Sequence, residues 1–201
     1  MYIIGDVHGL SSRYNQIVSK LDYSVQLGDM GFVYGDLPDP THHKFFGGNH
    51  DNYDIIRECP NNLGDYGAAE VGGTPFFFVR GAFSIDLAFR IGRSPKSWWC
   101  REELTFQEML SCLNLYKEIK PSLVITHTCP LAVANLIGDP SMLKRCGLDS
   151  SFVCQTSSLL QQMFEEHQPA RWIFGHFHKS WDYNYSGTHF TCLNELEHIK
   201  L

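Results

Sequence analysis

Apolar residues along the chain gather in short runs separated by stretches of helical spacing. Met1–Ile4, Tyr23–Leu27, Lys44–Gly47, Phe76–Val79, Leu123–Ile125 and Trp172–Phe174 are compact runs that predict strands, and Tyr183–Ile199 predicts more of them. Tyr14, Ile17, Val18 and Leu21 recur at the helical interval behind Ser11 or Ser12, which reads as the N-cap. Thr105-x-x-Glu108 is a capping box opening a second helix, whose buried face is expected to carry Phe106, Met109, Leu110, Leu113 and Ile119. Leu159, Leu160, Met163 and Phe164 predict a third, ended by Pro169. Asn52–Cys59 predicts a short helix stopped by Pro60, and Gly64, Gly67, Gly72 and Gly73 predict turns. Residues 84–104 carry no readable period, and residues 129–155 predict a long loop with one short helix. Strands alternating with helices place the chain in the α/β class.

The length of 201 residues suits one domain over residues 1–201, and 43% hydrophobic residues exclude intrinsic disorder. No apolar run approaches the roughly 20 residues that span a bilayer. The N-terminus lacks the basic, then apolar, pattern of a signal peptide. The chain is therefore expected to be soluble and cytoplasmic, without a membrane partner. Its seven cysteines form no Cys-x-x-Cys pair and read as buried thiols. A formal charge of −6 argues against bulk binding of duplex DNA.

Ten histidines are the compositional oddity, and their positions matter more than their number. Asp6 and His8 follow the first predicted strand, Asp29 the second, and Asn49-His50-Asp51 the third. His127 follows Leu123–Ile125, and His176 and His178 follow Trp172–Phe174. Five distant segments thus put metal-ligand residue types just after strands, the edge where open α/β sheets build sites. A glycine directly precedes the first of these residues in four of the five segments. Oxygen donors mixed with imidazoles suit Mn²⁺ best, with Fe, Zn²⁺, Ni²⁺ or Co²⁺ as alternatives. Seven such residues exceed what one four-coordinate ion needs and suit two divalent metal ions sharing a carboxylate. Such a pair activates a water, neutralises phosphoryl oxygens and orients an in-line displacement. His42, His43, His167, His189 and His198 read as loop, core or strand positions, and Glu102-Glu103 and Glu195/Glu197 as solvated faces.

These blocks, Asp-x-His, Gly-Asp, Gly-Asn-His-Asp, a later histidine and Gly-His-x-His, resemble the signature of the calcineurin-like metallophosphoesterase superfamily. The resemblance spans Asp6 to His178. It implies a four-layer α/β/β/α sandwich with two mixed β-sheets flanked by helices. It further implies that Asp6, His8 and His178 hold one metal, that Asn49, His127 and His176 hold the other, and that Asp29 bridges them. His50 would be catalytic at the leaving group and Asp51 would orient it. The sequence departs from the protein Ser/Thr phosphatase branch, because Met30, Gly31 and Phe32 follow Asp29 where that branch has aspartate and arginine. The acidic residue that many members carry beyond the bridging aspartate is missing unless Asp36 serves. The segment from Arg80 to Asp86, with Arg90 and Trp98-Trp99, is similar to small bacterial and phage-type members, whose product would act in the host cytoplasm. Arg80 and Arg90 are candidates for substrate phosphate or for local fold stability, and the tryptophans for stacking on a base or for packing.

The expected activity is hydrolysis of a phosphate ester, first a small-molecule or nucleotide phosphomonoester. The alternative is a phosphodiesterase or nuclease acting on short nucleic acid, favoured by the basic run Arg90, Arg93, Lys96 and Arg101. A third reading is a catalytically inactive protein-interaction scaffold. Nothing in the sequence bears on oligomeric state.

Overall fold

In a computed structural model, described over residues 1–93, 97–149 and 151–201, strands and helices alternate as the apolar pattern predicts. The first part holds β1 (Tyr2–Ile4), α1 (Ser11–Val18), β2 (Ser24–Gln26), β3 (His43–Phe45), β4 (Tyr66–Val71), β5 (Thr74–Val79) and α2 (Leu87–Arg93). The second holds α3 (Phe106–Ile119), β6 (Leu123–Thr126), α4 (Leu131–Ile137), α5 (Pro140–Arg145), α6 (Gln155–Glu166), β7 (Arg171–Phe174), β8 (Trp181–Tyr185), β9 (Thr188–Cys192) and β10 (His198–Lys200).

Two mixed sheets result. One has the order β10-β1-β2-β3, the other β4-β5-β6-β7-β9-β8. β1, β2 and β3 run parallel with β10 antiparallel at the edge. β5, β6, β7 and β9 run parallel between the antiparallel edge strands β4 and β8. The period of two along each strand builds the layers. Ile3, Val25 and Leu27 of the first sheet meet Phe76, Phe78, Ile125 and Ile173 of the second in one buried cluster. The alternate residues Phe77, Val124, Trp172 and Phe174 face outward onto α3, α4 and α6. On the far side Ile4 and Phe45 pack against Tyr14 and Val18 of α1. The architecture is the expected helix, sheet, sheet, helix sandwich.

Local departures have local causes. The N-cap of α1 is Leu10, not Ser11 or Ser12, because its carbonyl already accepts from the backbone N–H of Arg13 and Tyr14. The glycine-rich stretch holds β4, because Gly72 and Gly73, both with positive φ, make the tight two-residue connection of a β-hairpin. The Thr105 capping box forms as expected, but the buried face of α3 is rotated. Cys112, Leu113 and Tyr116 go inside, while Phe106 stays 75% exposed. Tyr116 wins that face because its ring packs edge-on against Phe77 and its hydroxyl donates to His167 O. His43 is not a loop residue; it opens β3, buried, with its ring on Ser24 Oγ at 3.0 Å. Among the described residues no helix is long and apolar enough to cross a membrane.

Candidate metal centre

The polar blocks meet where the strand ends of both sheets converge. Four of the residues concerned, His8, Asp29, His176 and His178, adopt left-handed backbone conformations with φ between 48° and 69°. Such non-glycine positions cost of order 1–3 kcal/mol each and persist only where the surroundings over-determine them. Here the turns are cross-bonded. His8 N–H donates to Asp29 O at 2.7 Å, Gly175 N–H to His127 O at 2.9 Å, and His176 N–H to the Asp6 carboxylate at 3.1 Å. Gly48 is required for room. A Cβ there would stand 2.6 Å from both Asp29 N and His127 Cε1, so any other residue would push the two turns apart.

Two groups of donor atoms share one carboxylate. Asp6, His8, Asp29 and His178 each present an atom within 4.8 Å of all the others. His178 Nε2 lies 3.2 Å and His8 Nε2 3.7 Å from Asp6 Oδ2, and the two ring nitrogens are 2.8 Å apart. Beside them, Asn49 Oδ1 stands 2.9 Å from His127 Nε2 and 3.0 Å from His176 Nδ1. Asp29 Oδ2 faces His8 at 3.6 Å and Asp29 Oδ1 faces His127 at 3.3 Å. Two carboxylates, an amide oxygen and four imidazoles turned toward one another are mostly electron-pair donors in mutual contact. That donor set fits divalent cations placed between them.

Outer contacts fix these groups. His127 Nδ1 lies 2.8 Å from Leu27 O, which leaves Nε2 with its lone pair toward the site. Asn49 Nδ2 donates to Ser84 Oγ, which also accepts from Arg90 and donates to Glu102. Glu102 is therefore a buried support and not a solvated residue, and nothing in its sequence neighbourhood marks it. Glu195 is exposed, as expected, yet it also meets the site. Its carboxylate stands 3.4 Å from His178 Nδ1, the position from which a carboxylate orients a ligating imidazole.

Asp51 differs from expectation. Its carboxylate does not orient the His50 ring; it accepts from the backbone N–H of Asp29, Gly31 and Gly48 at 2.7–3.1 Å and from Tyr34 Oη at 2.9 Å. It is thus the anchor of the turn after β2, a role Asp36 does not fill, since Asp36 is exposed. Asp51→Ala is expected to leave three buried backbone donors and the half-buried Tyr34 hydroxyl without their acceptor. The cost should be about 3 kcal/mol of stability or more, read as a lower midpoint in urea unfolding.

The charges follow the geometry. Burial opposes ionisation of Asp6, but hydrogen bonds with His178 and His8 overcome it and hold the carboxyl far below its usual range. Burial likewise works against a charged His8, yet Asp6 and Asp29 lift it to about 9. The Asp6 hydrogen bond raises His178 in the same way. Burial, then the neighbouring His127, pushes His176 down to about 3, and burial also lowers His50. Burial and the Asp29 charge raise Asp51 to about 7 against its four donors. One side of the site is rich in negative charge that a cation would take over; the other presents a neutral imidazole.

His50 sits apart from both groups. Its backbone N–H donates to Asp29 Oδ1 at 2.6 Å, while its ring lies edge-on to His8 at 5.1 Å between centroids. Both histidines border a cavity of about 480 Å³. Arg80 and Arg90, candidates for substrate phosphate, are spent inside the protein. Arg80, 2% exposed, binds Asp65 and Arg101 O and covers the Tyr53 ring. Arg90, 5% exposed, donates to Asn49 O, Ser84 Oγ and Ser97 O. Both therefore take the fold-stabilising alternative, and Arg90 supports Asn49 from behind. Trp99 packs on Phe32 and donates to Asp54. Lys96, of the basic run, lies outside the described residues, as does the side chain of Arg93.

No family model and no curated protein matches the chain. Solved structures do resemble its fold. A phosphopantetheinyl hydrolase from Mycobacterium tuberculosis is 12% identical with a TM-score of 0.49, over 96% of this chain and 89% of that one. A predicted phosphoesterase from Streptococcus pneumoniae is 13% identical with a TM-score of 0.40, over 96% and 72%. GAP50, the anchor in the inner membrane complex of Plasmodium, is 8% identical with a TM-score of 0.49, over 96% and 71%. At these values the likenesses add nothing to what the side chains themselves present.

Proposed function

We propose that the protein is a phosphoesterase dependent on two divalent metal ions, acting first on phosphomonoesters of small molecules or nucleotides. One observation carries the reading: the two carboxylate oxygens of Asp29 face two separate groups of donors, His8 with Asp6 and His178 on one side, His127 with Asn49 and His176 on the other. When bound, Mn²⁺ or a similar pair would supply an acidified water nucleophile and neutralise phosphoryl charge. The chain's own residues do the rest. Asp6, His8 and His178 would hold one ion, Asn49, His127 and His176 the other, and Asp29 would serve both. His50, beside the cavity, faces the leaving oxygen and gives it a proton. The polar groups crowded here would be costly without a cation, which disfavours a purely structural scaffold. The nuclease reading loses Arg90, which is buried against Asn49.

The test compares p-nitrophenyl phosphate with bis-p-nitrophenyl phosphate, using protein stripped by chelator and reloaded with Mn²⁺. The expected result is monoester turnover that vanishes with the metal and returns with it. Turnover of the diester alone would overturn the monoesterase reading. Two ions bound per chain with neither ester cleaved would overturn the esterase reading itself.

A further inference from the structure

We propose that the cavity beside His8 and His50 is a leaving-group subsite for uncharged alcohols carrying an aromatic ring, with Phe32 as its stacking surface. The proposal rests on the phosphoesterase reading and adds a substrate class to it.

Position comes first. A phosphoryl group held at the Asp6–Asp29 side of the centre has His50 at its leaving oxygen, and whatever that oxygen carries must enter the roughly 480 Å³ that His8 and His50 border. The remaining lining is Gly9, Gly31, Gly35, Ser11, Phe32 and Val33. Those six residues bring no lysine, arginine, aspartate or glutamate side chain, so no charged side chain among them recruits a charged leaving group.

Phe32 is built as a platform. It is an aromatic residue left 37% exposed beside Val33 at 77%. Its ring is nonetheless held on three sides. It stacks at 25° with His50, it packs at 5.5 Å on Trp99, and the Arg90 guanidinium lies 5.6 Å from its centroid. Trp99 is pinned in turn by its indole N–H to Asp54 Oδ2 at 2.8 Å, and the Phe32 carbonyl accepts from Asn52 Nδ2. An aromatic face fixed in this way gains stacking energy at little entropic cost.

Gly35 also lines the cavity. A Cβ on Gly35 would meet nothing within 4 Å, and its backbone needs no left-handed φ. Glycine is not required there by conformation, and its effect is to leave open space at the cavity that Phe32 also lines.

The experiment uses benzyl phosphate and glycerol 1-phosphate, both primary alkyl esters, so that leaving-group acidity is similar and the ring is the main difference. With Mn²⁺-loaded protein, kcat/KM should favour benzyl phosphate by about tenfold. Phe32→Ala and, separately, Gly35→Leu should each lower the benzyl-to-glycerol ratio about tenfold. Titration calorimetry with benzylphosphonate and methylphosphonate gives a second readout free of turnover, and the same preference and the same loss are expected. A wild-type preference for glycerol phosphate, or a ratio unmoved by both variants, would overturn the subsite while leaving the esterase reading standing. Selective binding of benzylphosphonate by a protein that cleaves neither these esters nor p-nitrophenyl phosphate would uphold an aromatic pocket there but overturn its leaving-group role together with the esterase reading.

Discussion

Replacing Asp29 with asparagine should weaken metal binding at both sites and lower turnover by on the order of 10³-fold or more, in a protein that still folds. Loss of a group that merely orients a ligand costs about 10–100-fold in affinity or activity, so loss of a shared ligand costs more. The structure also says which site goes first. The Asp29 oxygen that faces His127 also accepts the His50 backbone N–H at 2.6 Å, so an asparagine keeps its oxygen there. Its NH₂ group then points at His8 and the Asp6 side, where a donor repels a cation. Metal analysis after gel filtration should show the Asp6 site emptied and the His127 site weakened. Two ions retained per chain would sink the bridging role.

His50→Ala should lower turnover by about 10²–10⁴-fold with metal content unchanged, the signature of a lost general acid. Alanine keeps the backbone N–H that Asp29 uses, and the ring being removed makes no hydrogen bond to the protein among the described residues. The dependence on leaving group separates two roles. If His50 supplies a proton, an alkyl phosphate should lose far more than p-nitrophenyl phosphate, whose leaving group departs without one. Equal losses for both esters would mean that His50 holds the phosphate instead. Metal lost together with activity would mean that it is a ligand.

The seven donor residues of the site were legible because each belongs to a short polar block directly after an apolar run, and strand ends are where such blocks converge. What surrounds them was not legible in the same way. Arg80 and Arg90 look like phosphate ligands until Asp65, Ser84 and the backbone carbonyls of Asn49 and Arg101 come within reach. Their partners are 6 to 41 residues away, and no local pattern announces them. Glu102 and Glu195 sit in polar stretches that resemble any solvated face; only the tertiary approach of Ser84 and His178 gives them work. Asp51 stands in the expected block yet serves different atoms, because three backbone N–H groups offer its carboxylate more than one imidazole would. The rotated face of α3 has a similar origin. Cys112 and Tyr116 are weakly apolar by type, and the hydroxyl partner that buries Tyr116 lies 51 residues on. The strand β4 was hidden by glycines that in fact make its hairpin.

The strand order of the smaller sheet carries a consequence for how the chain acquires its centre. β1 lies between β2 and β10, and Leu196 N–H donates to Asp6 O, so the carrier of Asp6 and His8 is flanked by a strand far along the chain. On a ribosome, β1 would wait for a neighbour that follows it by 194 residues, from Ile4 to His198, and the slow step would be a long-range closure. A cation that binds the closed form alone would then act as a latch on it, adding about 2.7 kcal/mol at a concentration one hundred times its dissociation constant. Metal supply during synthesis would set how much of the chain reaches the closed form before a protease meets the open one.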